Sequence, residues 1–154
     1  MSVAIEVRRL GPSDVALARE LNALFAEAFD EPESYVPAPG DDYLERLLGR
    51  DSVIVLAGFA EGELAGALVA YVLDKLEQER SEVYIYDLAV AESCRRRGVA
   101  TALIAETQRI AAEIGAWVIY VQADYGDDPA IALYDKLGRR EEVLHFDIAP
   151  EATR

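Results

Sequence analysis

Apolar and polar residues alternate over residues 4–7, the period of a half-buried strand. Beyond Gly11-Pro12-Ser13, a turn followed by a helix cap, the spacing changes. Val15, Ala18, Leu21, Leu24, Phe25 and Phe29 recur on one face of a 3.6-residue repeat and predict a first helix. Residues 30–40 read as a loop with prolines at 32, 37 and 39, and Asp41 or Asp42 is placed to cap a short second helix through Leu48. Residues 53–59 and 64–73 are apolar, β-rich runs joined at Glu61-Gly62, which predicts an antiparallel hairpin. A charged connection over 74–81 leads to a further strand at 83–90. Residues 91–97 then turn into a helix from about 98 to 114, whose stripe is Val99, Leu103, Ile104, Thr107, Ile110, Ala111 and Ile114. Gly115 stops it. Residues 117–123 read as a buried strand, 129–137 as a short helix opened by Asp128-Pro129 and closed by Gly138, and 143–148 as a last strand.

That order is strand, two helices, three strands, helix, strand, helix, strand. It implies an α+β fold with a partly antiparallel sheet and a helical crossover, not a repeated βαβ pattern. With no internal repeat or Pro/Ser-rich linker, one domain is expected over residues 1–154.

Composition narrows the chemistry. The single cysteine, Cys94, excludes an intramolecular disulfide and a Cys-type metal cluster, so no metal is expected and a reducing, cytoplasmic setting is. No apolar run approaches the ~20 residues that span a bilayer, and the first ten residues lack a signal-peptide pattern. A net charge of −14 opposes nucleic acid and anionic membranes as partners and attracts cations, although acidity that serves only solubility would look the same.

Against that charge, Arg95-Arg96-Arg97-Gly98-Val99-Ala100-Thr101 stands out. It joins a strand end to a helix start, where unpaired N–H groups and the positive helix end attract anions. Gly98 lets the backbone approach a pyrophosphate, Ala100 avoids a blocking side chain, and the arginines add attraction. The plainer alternative is an exposed basic turn. Asp87 is a second anomaly, a lone acid within the otherwise apolar and aromatic strand Tyr84-Ile85-Tyr86-Asp87-Leu88-Ala89-Val90. Such a group is costly to bury unless it is paired, solvated in a cleft or used. Cys94 and His145 are not near each other in sequence, which argues against a covalent nucleophile.

Arg95, Gly98 and Ala100, placed between a fourth strand and an amphipathic helix, resemble the pyrophosphate loop Gln/Arg-x-x-Gly-x-Gly/Ala of the GCN5-related N-acetyltransferase (GNAT) superfamily. The resemblance implies a mixed sheet of about six to seven strands with splayed fourth and fifth strands, about four flanking helices, and acetyl-CoA as cofactor. The coenzyme's pyrophosphate would lie on residues 95–101 and its pantetheine arm along Leu88, Ala89 and Val90. The amide near Leu88 would polarise the thioester carbonyl. It also implies Tyr134, in the late helix, as general acid; a core tyrosine is the alternative. Asp87 is then the general base or the anchor for the attacking ammonium.

Residues 81–90, 115–129 and 141–148 further resemble the gentamicin-type aminoglycoside 3-N-acetyltransferases of that superfamily. Asp127 and Arg139, where the superfamily commonly has Asn and Phe, are shared with this subgroup. The implied substrate is a cationic small-molecule amine, an aminoglycoside, whose inactivation gives antibiotic resistance. Asp87, Asp124, Tyr125, Glu142 and Asp147 are the candidate contacts, and Tyr120 and Gln122 reach the cleft or the core by strand alternation. A polyamine or protein N-terminus as acceptor, a non-catalytic coenzyme A-binding module, and a homodimer stay open.

Overall fold

A computed structural model describes residues 4–151. The chain divides into two compact units between Gln122 and Ala123. The first is a five-stranded sheet in sequence order: β1 Ile5–Arg9, β2 Val53–Ala60, β3 Glu63–Asp74, β4 Ser81–Val90 and β5 Val118–Val121. Strands β1 to β4 are antiparallel, and β5 joins β4 in parallel. A parallel neighbour requires a crossover, which is the helix α3, Val99–Glu113. The helices α1, Val15–Ala28, and α2, Asp41–Leu48, precede the sheet's second strand. Glu61 and Gly62 both have positive φ, the mirror-image turn that suits a two-residue hairpin.

Strand alternation sorts the core into two layers. Val53, Val55, Ala57, Ala67 and Ala89 meet Ala18, Leu21 and Phe25 of α1 and Leu48 of α2. On the other face, beside Gly58 and Gly66, lies α3. A Cβ on Gly66 would stand 2.7 Å from Val99 Cγ1 and 2.9 Å from the Ala89 carbonyl oxygen, so glycine sets how closely helix and strands approach. Thr107, fully buried in α3, donates its hydroxyl to the Leu103 carbonyl at 2.9 Å and leaves no orphan polar group.

The second unit holds α4, Asp128–Leu137, with Pro129 in its first turn. The expected last strand, 143–148, is not formed: residues 139–149 have no helix or strand, and among the described residues the sheet has five strands rather than six or seven. Alternation over Val143, His145 and Asp147 makes the segment compatible with extended backbone. Only a hydrogen-bonded neighbour makes a strand, however, and Val143, Leu144, Phe146 and Ile148 lie exposed.

Candidate active site

Two irregularities in β4 build the site. The first is a bulge. Val69 of β3 faces Asp87, but Ala70 faces Ile85, so Tyr86 is an extra residue. Cross-strand partners share a face. Ile85 therefore lies with Ala70 towards α3, whereas Asp87 lies with Val69 and Ala67 towards α1. In an unbroken strand Asp87 would follow Ile85 into the apolar layer beneath α3. The bulge carries it to the other side.

The second is a splay. Strand β5 pairs with β4 only from Glu82 to Ile85, so among the described residues no strand pairs with 86–90 on that edge. The Ala91 N–H donates to the Ala65 carbonyl at 2.7 Å, in the same register as Gly66 opposite Val90. Main-chain groups of an antiparallel strand point alternately to either side. Counting back from Ala91, Ala89 and Asp87 bond towards β3, and Leu88 and Val90 present their N–H and C=O groups to the open edge. The side chains of Leu88 and Val90 are half-buried, and that of Ala89 lies in the core.

Past β4, Glu92–Cys94 make a short 3₁₀ turn, and Arg96 and Gly98 take left-handed backbone at φ 65° and 82°. Helix α3 then starts with no side chain capping it, and its first internal bond runs from the Ala102 N–H to the Gly98 carbonyl at 3.0 Å. The N–H groups of Val99, Ala100 and Thr101 are left for a ligand or water. Val99 takes part through its main chain alone, because its side chain is buried against the sheet. Arg95, Arg96 and Arg97 are exposed, and a Cβ on Gly98 would meet nothing within 4 Å. Open space, free N–H donors and three guanidinium groups fit a diphosphate. Between this turn and the end of α1 lies a cleft of about 570 Å³, lined by Leu24, Glu27, Ala28, Ala91, Glu92, Ser93 and Arg95.

Asp87 is half-buried, and its carboxyl is held above its ordinary value, first by loss of water and then by the charge of Glu31, three residues past the end of α1. The Asp87 charge in turn reaches a group of tyrosines. Tyr35 is pushed up to about 12 by burial, Asp87 and Glu31. Tyr71 is raised by burial and then by Asp87. Tyr84 is raised by burial and then mainly by Tyr86 and Tyr120. Tyr84 also donates its hydroxyl to Gln122 Oε1 at 2.7 Å and stacks on Tyr120 with centroids 4.6 Å apart. Sequence reading passed over Tyr35, Tyr71, Tyr84 and Tyr86. The available signal was tyrosine at 84, 86 and 120, every second position of neighbouring strands.

In the second unit, Tyr134 is half-buried, and burial followed by the Asp127 carboxylate raises its hydroxyl, which keeps the proton on at neutral pH. Tyr125 donates to Glu142, Arg140 grips Asp135, and Asp147 bonds His145 Nε2 at 2.9 Å. The main chain of Asp124 accepts from the Asp127 N–H in the turn before α4. Tyr125 and Glu142 are thus brought together, while Asp147 is engaged by His145.

The model of the acetyltransferase (GNAT) family matches residues 18–138. The chain belongs to the GNAT acetyltransferases. Enzymes of this family draw the acetyl group from acetyl-CoA. An aminoglycoside acetyltransferase from an uncultured soil metagenomic sample shares 54% identity, with a TM-score of 0.93 over 96% of this chain and 99% of that one. A second soil-metagenome aminoglycoside acetyltransferase, in complex with sisomicin, shares 30% identity with a TM-score of 0.88, over 96% and 97% of the two chains. An N-alpha-acetyltransferase of Sulfurisphaera tokodaii is 30% identical over 96 residues, 55% of this chain. The match spans 58% of that relative's length.

Proposed function

We propose that the chain, working as one domain, is an aminoglycoside 3-N-acetyltransferase that moves acetyl directly to the 3-amino group of the deoxystreptamine ring, giving antibiotic resistance. The observation that carries the acceptor class is the 54% identity over nearly the whole chain to an aminoglycoside acetyltransferase. The net charge of −14 and the acidic pair Asp87 and Glu31 suit a polycation.

In this reading the N–H groups of residues 99–101 and Arg95, Arg96 and Arg97 hold the diphosphate of acetyl-CoA, which supplies an acyl thioester. The open main-chain groups of Leu88 and Val90 hold its arm, and the Leu88 N–H is aimed to draw charge onto the acyl oxygen. An ammonium has no lone pair, so Asp87 first anchors it and then removes its proton. Burial and Glu31 raise the proton affinity of Asp87, which favours it as the acceptor of that proton, and Tyr134 is the proton donor. Asp124, Tyr125, Glu142 and Asp147 are the remaining proposed acceptor contacts.

The likeness to an N-alpha-acetyltransferase supports a second reading, in which the acceptor is a polypeptide N-terminus. Thiol release from acetyl-CoA with sisomicin, a kanamycin-type drug, spermidine and N-terminal peptides separates the two, with NMR locating the acetyl group. Turnover of drugs with acetyl on N3 is expected. Acetylation of peptides alone would replace the first reading with the second, and coenzyme binding without any thiol release would leave a non-catalytic module.

A further inference from the structure

Four tyrosines form a continuous row on the α1 side of the sheet, crossing from β3 to β5. Tyr71 meets Tyr86 edge-on with ring centroids 5.9 Å apart, and Tyr86 meets Tyr84 at 5.5 Å and 65°. Tyr84 lies flat on Tyr120 at 4.6 Å and 7°. Tyr71 and Tyr84 face each other across the ladder, and the bulge that turns Asp87 to this face also sets Tyr86 beside it. Core packing accounts for Tyr71, which lies against the apolar cluster under α1, but not for Tyr86. Tyr86 is 62% exposed in the middle of the central sheet, where a buried aliphatic would otherwise be expected.

We propose that this row is the wall that selects the acceptor, taking a cationic amino-cyclitol or amino-sugar ring face-on. The proposal rests on the aminoglycoside reading above. A rigid ring presents a flat array of C–H bonds, polarised by neighbouring ammonium groups, to the negative faces of phenol rings. Asp87, on the same face as Tyr86, supplies the charge that draws the ammonium in. A flexible polyamine has charge but no face. It gains from Asp87 and Glu31, and little from a flat aromatic surface. The row therefore separates ring polycations from linear ones, a discrimination that net charge alone does not make.

The test is calorimetric titration of sisomicin and of spermidine into the protein with coenzyme A present, for wild type, Tyr86→Leu and Tyr86→Phe. An aromatic–cation contact that the bound ring partly desolvates lies between the exposed and the buried limits, which implies that Tyr86→Leu weakens sisomicin by roughly fivefold to tenfold and spermidine by less than about twofold. Tyr86→Phe, which keeps the ring, should stay within about twofold of wild type for both. The proposal is overturned by an equal loss for the two ligands, by no loss, or by Tyr86→Phe behaving as Tyr86→Leu. Absence of sisomicin binding to wild type overturns it as well. If sisomicin binds and shows this pattern but is never acetylated, the wall stands and only the proposed reaction falls.

Discussion

At the scale of single residues, Asp87 carries opposite consequences for stability and rate. Its folded-state proton affinity is raised above that of the unfolded chain, so the native state holds the proton more tightly. The associated stability is present below the ordinary value of 3.8 and is lost as pH rises through the folded pKa. Asp87→Asn should therefore melt at a higher temperature than wild type at pH 7, with the gap closing towards about pH 4. The same variant should keep its affinity for acetyl-CoA and lose roughly 10²- to 10⁴-fold in kcat, the range for a missing general base. Calorimetric melts and steady-state kinetics on one preparation check both. Glu31→Gln removes a negative charge that Asp87 feels, so the acid limb of the pH–rate profile should move to lower pH. A limb that stays in place would separate Asp87 from the titration that controls turnover. A lone carboxylate in an apolar strand is legible in a sequence. Which face it occupies is not, because Tyr86 becomes a bulge only through its pairing with β3.

Among elements, two glycines show why the turn before α3 and the packing behind it answer differently to substitution. Gly98 sits at φ 82° in open space, so an added methyl group meets nothing but forces an L-residue into left-handed backbone. Gly98→Ala should cost about 1 kcal/mol in urea unfolding and weaken acetyl-CoA severalfold by displacing the N–H groups beside it. Gly66 has an ordinary φ and no space at all, with Val99 and the Ala89 carbonyl under 3 Å from a new Cβ. Gly66→Ala should cost on the order of 1–3 kcal/mol by overpacking. Urea unfolding of the two variants side by side checks the order, and an unaltered midpoint for Gly66→Ala would mean that α3 shifts freely on the sheet. Gly98 is visible in the sequence as part of a motif. Gly66 is not, since its need arises from a helix over thirty residues away in the chain.

Across the whole molecule, charge sets the dependence on salt. With a net charge of −14, attraction of a polycation is long-ranged and is screened beyond roughly 10 Å at 0.1 M salt. Raising ionic strength should therefore increase KM for a drug bearing several ammonium groups far more than for a simple monoamine, as thiol-release assays at several salt concentrations would show. The periodicity of the chain by itself determined the helices, the Glu61-Gly62 hairpin and the basic turn, because each depends on residues a few positions apart. It misled at 143–148, where alternation reports compatibility with a strand and cannot supply the neighbour a strand needs. Tertiary structure alone decided the bulge that sets Asp87 beside Tyr86, the residue at which β5 stops pairing, and the tyrosine row across three strands; the splay itself was implied by the family resemblance. These arise from the register between segments distant in sequence, which no local pattern encodes.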